Sequence, residues 1–259
     1  MKLDIYQIDA FANNVFEGNP AAVIALTEWL DDSLMQSIAA ENNLAETAFF
    51  VKEEAGFRIR WFTPAVEVDL CGHATLASAY VLYQKLGYQG ASLTFNSRSG
   101  PLTISQDAGR YVMDFPTQAC QPCEVPNGLA EALACEVNTC LNNEDYLVIL
   151  DTEQELLNLQ PDFSRLAELD LRGVIVTAPS LEYDFVSRFF APNVGVNEDP
   201  VTGSAFTKLI PYWAQRLGKG VLSAKQVSQR GGEVFCQMRG DRVLIAGSVV
   251  SYLQGCIEI

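Results

Sequence analysis

The chain has 259 residues, 49% hydrophobic and 10% aromatic, with 32 Asp plus Glu against 17 Lys plus Arg and one His, a formal net charge of −15. An apolar share of that size builds a core without staples and excludes a disordered or fibrous chain. A pI near 4.4 and the lack of any Lys/Arg run leave no electrostatic footprint for nucleic acid or anionic lipid, so neither is an expected partner.

The N-terminal MKLDIYQIDAF alternates apolar and polar residues from its third position, which is the pattern of a strand and not the apolar heart of a signal peptide. A cytoplasmic setting is expected. A helix is predicted over 31–41 behind an Asp31 or Asp32 cap, closed by Glu41, Asn42 and Asn43. Leu44 to Phe49 then alternate into a strand, with Glu46 set among apolar and small neighbours. A carboxylate withheld from water can take or give a proton near neutral pH, whereas an exposed strand carboxylate is inert, and both readings stand at this point.

The aromatic strand RIRWF at 58–62 is closed by Pro64, which cannot continue a ladder. After Cys71 and Gly72, residues His73 to Leu82 carry no charge, and the first comes only at Lys85. A helix that is small or apolar on every face is a buried one. The uncharged stretch Leu70 to Gln84 falls short of the ~20 apolar residues of a membrane helix, so no span is expected. Short strands follow, and the chain is expected to pass to a second half near 116–122, between Pro116 and Pro122.

Seven cysteines form an odd set without a framework, which fits reduced thiols. Cys120 and Cys123 make a CxxC with no second pair and no helix start beside it, which reads as a loop ahead of a redox or zinc motif. One His leaves little for a His-based metal site, so no metal and no cofactor are expected. Helices are predicted over 126–135 and 162–169, the strand FVSRFF over 185–190, and a second central helix from Ser204 to Leu217 with Gly218 as its C-cap. Pro211 should kink that helix, and Lys208 must find a partner or an exit. RGDR at 239–242 reads as a hairpin turn.

The chain repeats itself. RWFTP at 60–64 and RFFAP at 188–192 stand 128 residues apart, and each is followed by a short acidic loop, a Gly and a helix. The first helix opens on Gly72, His73 and Ala74, the second on Gly203, Ser204 and Ala205. A buried helix among short strands, found twice, predicts an α+β fold of two similar lobes, each a barrel-like curled β-sheet around a central α-helix. The lobes are expected over 1–117 and 118–247, with a last strand at 248–259 returning to the first.

The first turn of a helix leaves N–H groups unpaired and carries partial positive charge, so two such Gly turns could cradle one small anion in a cleft between the halves. Taken alone, a Gly turn more often serves tight packing. Duplication beside titratable groups, His73 and Cys71 in one copy and Glu198 and Asp199 in the other, favours a site. A His at a helix N-terminus is expected to have its pKa pushed down.

The strings GNPAAV at 18–23, LAETAFF at 44–50, TPAVEVDLCGHAT at 63–75 and EDPVTGSA at 198–205 resemble the PhzF family of phenazine-biosynthesis isomerase-like proteins over nearly the whole chain. The resemblance implies the diaminopimelate-epimerase-like fold with the active site between its lobes. By the same resemblance Glu46 is the general acid/base, and His73 and Asp199 assist in binding and protonation. Gly72, Gly203 and Ser204 hold a substrate carboxylate, Asn19 lines the cleft, and a homodimer is expected. The implied activity is a cofactor-independent isomerisation of a small cyclic or unsaturated carboxylic acid by proton transfer. Cys71 keeps a second reading open, a two-base racemase or epimerase, and a non-catalytic carboxylate-binding module is a third.

Overall fold

In a computed structural model covering residues 1–259, the chain divides into two compact units, Met1–Phe115 with Ile245–Ile259, and Pro116–Leu244. The first contains β1 (Lys2–Ala10), β2 (Asn19–Leu26), α1 (Asp32–Asn42), β3 (Glu46–Lys52), β4 (Phe57–Phe62), β5 (Glu67–Val68), α2 (Gly72–Tyr80), β6 (Ser92–Ser97), β7 (Gly100–Asp107) and β8 (Arg110–Pro116). The second contains β9 (Gln121–Pro122), α3 (Leu129–Leu133), β10 (Thr139–Asn142), β11 (Tyr146–Ile149), α4 (Glu153–Leu157), α5 (Phe163–Leu166), β12 (Val174–Pro179), β13 (Phe185–Phe190), α6 (Gly203–Leu217), β14 (Val221–Gln226), β15 (Gly232–Arg239) and the first half of β16 (Arg242–Gly247), whose second half belongs to the first unit. The last strand, β17 (Val249–Glu258), pairs antiparallel with β1 in the first unit.

The repeat holds at the level of hydrogen bonding. β1–β2 is antiparallel, β2–β3 parallel, β3–β4 antiparallel, β4–β6 parallel and β6–β7 antiparallel. In the same order β10–β11 is antiparallel, β11–β12 parallel, β12–β13 antiparallel, β13–β14 parallel and β14–β15 antiparallel. The sheets curl without closing, so "barrel-like" describes the curvature and not a sealed cylinder. Each parallel step needs a crossover, and α2 and α6 supply the one after the aromatic strand in each unit.

α2 packs against β1, β2, β3 and β17, and every residue from His73 to Ala79 is buried, as its uncharged sequence required. It runs on into one π turn at Val81–Lys85. The first unit's core also includes Ile24, Met35, Phe49 and Phe62, and the second's Leu133, Val148, Val176 and Phe190. The two aromatic strands carry the same device. Arg60 makes a bidentate pair with Glu67 and lies over the Phe62 ring, and Arg188 does so with Glu198 and Phe190. Glu198 is therefore a structural ion-pair partner, which removes it from the titratable neighbours of the second Gly turn.

α6 runs from Gly203 to Leu217 with Pro211 inside it. Proline's missing N–H frees the carbonyl four residues back, on Thr207, and the backbone N–H of Gln118 donates to that carbonyl at 3.0 Å. The predicted helices at 126–135 and 162–169 shorten to α3 and α5, and α4 was missed although Thr152 and Glu155 form a capping box at its start. Lys208, fully buried, finds Asp145 at 3.0 Å and the Gln118 side-chain oxygen at 3.0 Å. No helix is long and apolar enough to cross a membrane.

Candidate active site

Glu46 opens β3 because α1 ends one turn before it. Asn43 takes the left-handed conformation at φ 48°, returning its N–H to Ala39 O, and the Asn42 side chain donates to the Thr47 hydroxyl at 3.0 Å. The parallel register with β2 sets Glu46 against Ala21, two residues along from the fully buried Asn19. The Glu46 side chain is 17% exposed.

The carboxylate meets the opening of α2. Glu46 Oε2 stands 3.0 Å from His73 Nε2 without hydrogen-bond alignment, and no protein group donates to that oxygen. His73 Nδ1 lies 3.6 Å from the Cys71 sulfur. Cys71 is the N-cap residue but does not cap with its side chain, leaving the first-turn amides of α2 without a side-chain acceptor from that position. Lining one buried carboxylate oxygen with an imidazole and a helix N-terminus gives a group able to accept a proton beside donors that stabilise negative charge.

Electrostatics correct one expectation. Burial favours the neutral ring of His73, yet its interactions with Cys71 and Glu46 outweigh burial and hold its pKa well above the usual 6.5, where the helix terminus alone predicted a decrease. Burial pushes the Cys71 thiol up to about 11, with Glu46 adding to the rise. Glu46, Cys71 and His73 each offer a donor atom within 4.8 Å of the others.

In the second unit, Asp199, Gly203 and Ser204 occupy the equivalent turn. The Thr202 hydroxyl, instead of capping α6, donates to Asp199 Oδ2 at 2.6 Å. Two residues that sequence reasoning missed hold this turn. The buried Gln226 side chain accepts from Thr202 N and donates to Asp199 O, and Arg172 donates from Nη2 to Ser204 Oγ at 3.1 Å while clasping the buried Asp145. No local pattern marks either, because each acts from a strand or strand entrance far away in sequence.

A family model described as phenazine biosynthesis-like protein, PhzC-PhzF, matches residues 8–255. An uncharacterized isomerase of Pseudomonas aeruginosa is 54% identical over 259 residues, covering 100% of both chains. A crystal structure of a phenazine biosynthesis protein of the PhzF family from Enterococcus faecalis superposes with a TM-score of 0.98 at 45% identity over 100% of each chain. A hydroxyproline epimerase from Agrobacterium vitis shares the fold alone, with a TM-score of 0.63 at 9% identity over 99% of this chain and 92% of that one. Matched along nearly its whole length in sequence and in structure, the chain belongs to the PhzC/PhzF family of phenazine biosynthesis-like proteins.

Proposed function

We propose that the protein is a cofactor-independent isomerase that moves a proton on a small cyclic or unsaturated carboxylic acid, with Glu46 as the general acid/base. The observation that carries this reading is the buried Oε2 of Glu46, 3.0 Å from His73 Nε2 and without a protein donor of its own. An oxygen so placed takes a proton from carbon and returns it at a conjugated position, a 1,3-type shift that one base performs. His73, its pKa held well above the usual imidazole value, stands beside the carboxylate as a donor toward developing negative charge. In this proposal Gly72, Gly203 and Ser204 bind the substrate carboxylate through first-turn N–H groups, Asn19 supports binding, and Asp199 assists protonation. The relatives named as isomerases agree with the reaction class.

The two-base reading needs Cys71 as a thiolate, and burial holds that thiol protonated to about 11. Cys71 is assigned here as the neighbour that orients His73. The test is solvent deuterium uptake into a panel of cyclic and unsaturated carboxylic acids in D₂O. Uptake at carbon by the wild-type protein, lowered about 10²–10⁴-fold in Glu46→Gln, supports the proposal. Binding without exchange at carbon would assign a carboxylate-binding module instead.

A further inference from the structure

The CxxC of Cys120 and Cys123 has a different geometry from the one its spacing suggests. β9 pairs with β10 so that Pro122 faces Leu141 and Gln121 faces Asn142, which makes Cys140 the cross-strand partner of Cys123. Cys123 N donates to Cys140 O at 3.1 Å, and the two sulfurs stand 3.6 Å apart. Directly opposed antiparallel residues keep their Cα atoms ~4.5–5.5 Å apart, inside the ~4.4–6.8 Å range that a disulfide spans. We propose that Cys123 and Cys140 form a reversible disulfide when the protein meets a low-molecular-weight disulfide, fastening the strap Thr117–Cys123 to β10.

The strap is already held at its other end. Gln118 N donates to Thr207 O beneath Pro211, and Gln118 Oε1 accepts from the Thr207 hydroxyl at 2.7 Å and from Lys208 Nζ at 3.0 Å. Between those ties and Cys123 the strap is held by the Asn143 side chain, which donates to Ala119 O at 3.1 Å, and by the two-residue β9, and the 3.6 Å sulfur contact sits at its far end. Cys123 is part-exposed and Cys140 buried, with burial pushing the Cys140 thiol up to about 12. The order of events follows. Cys123 as thiolate attacks one sulfur of the oxidant, whose S–S bond breaks and releases one thiolate. Cys140 then gives up its proton and attacks the Cys123 sulfur, expelling the second thiolate, which takes a proton. Two protein thiols and one disulfide thus become one protein disulfide and two small thiols, with two electrons passed to the oxidant.

The test treats the native protein with glutathione disulfide, quenches with acid, and alkylates the remaining thiols under denaturing conditions for mass spectrometry. Of the seven cysteines, five should be alkylated, with the missing pair found as a Cys123–Cys140 linked peptide that dithiothreitol releases. Cys120→Ser should form the same link. Cys140→Ser should instead retain glutathione on Cys123. Because the link closes a loop across 17 positions, the oxidised protein should melt roughly 5–10 °C higher. Seven alkylated thiols after the same exposure, a Cys120–Cys123 link, or a disulfide form that melts no higher would overturn the proposal.

Discussion

The two central helices occupy the same place in a repeated hydrogen-bond order, yet α2 is apolar within and carries titratable groups at its mouth, while α6 carries charge in its interior. Aligning Gly72 with Gly203 sets Cys71 against Thr202 and His73 against Ser204, so both titratable groups at the mouth of α2 become hydroxyls in the second copy. Strand register extends the contrast. Thr47 pairs with Phe62 and Val174 with Phe190, which makes Gly173 the counterpart of Glu46. A Cβ at Gly173 would meet Phe190 O at 2.7 Å and the Phe189 ring at 2.8 Å, so that position has no room for a side chain. One copy thus places a carboxylate beside an imidazole, and the other keeps the helix turn with its charge moved to Asp145, Arg172 and Lys208.

The largest effect that would sharpen this contrast comes from the buried charges of the second unit. Asp145 is clasped by Arg172 and contacts Lys208 at 3.0 Å, and both Asp145 and Lys208 side chains are 0% exposed. Asp145→Ala removes the buried anion between Arg172 and Lys208, and urea unfolding should show a loss of about 3–5 kcal/mol. Lys208→Met leaves Asp145 with Arg172 and should cost under about 1 kcal/mol. Equal losses from the two variants would show that Arg172 cannot satisfy Asp145 alone.

A smaller effect tests the repeat itself. Arg60 and Arg188 make matching bidentate pairs with half-buried glutamates and lie 5.1 and 4.9 Å from the rings below them. Arg60→Met and Arg188→Met should each cost about 1–2 kcal/mol, and a large inequality between them would break the equivalence.

Smallest is the pH dependence. His73 binds its proton more tightly folded than unfolded, so its stabilising contribution is fully present below about pH 6.5 and is lost as pH rises through the raised folded value. Wild-type stability relative to His73→Gln should therefore decline on the alkaline side. A relative gain there would mean that the helix terminus dominates over Glu46.

Much of the fold was legible because its signals were local. RWFTP and RFFAP announced the repeat, and the uncharged run after Gly72 announced a buried helix. Glu46, His73 and Asp199 stood out through the family strings, and the structure brings the first two within 3.0 Å. What was not legible depended on distance in the chain. The direction of the His73 shift turns on Cys71 beside it and on Glu46, 27 positions earlier, which together outweigh burial. Nothing near Pro211 in sequence shows that Gln118, more than 90 positions away, takes the freed carbonyl. The partner of Cys123 was hidden for the same reason, since β9 and β10 pair across a loop that contains α3.

The central claim is that the first unit's carboxylate, and not its thiol, moves the proton. Measuring deuterium exchange into one turned-over acid by wild type, Glu46→Gln and Cys71→Ser side by side tests it most directly. Glu46→Gln should lose about 10²–10⁴-fold in exchange rate with its melting temperature intact, while Cys71→Ser stays within about tenfold of wild type. Full exchange by Glu46→Gln together with silence from Cys71→Ser would contradict it.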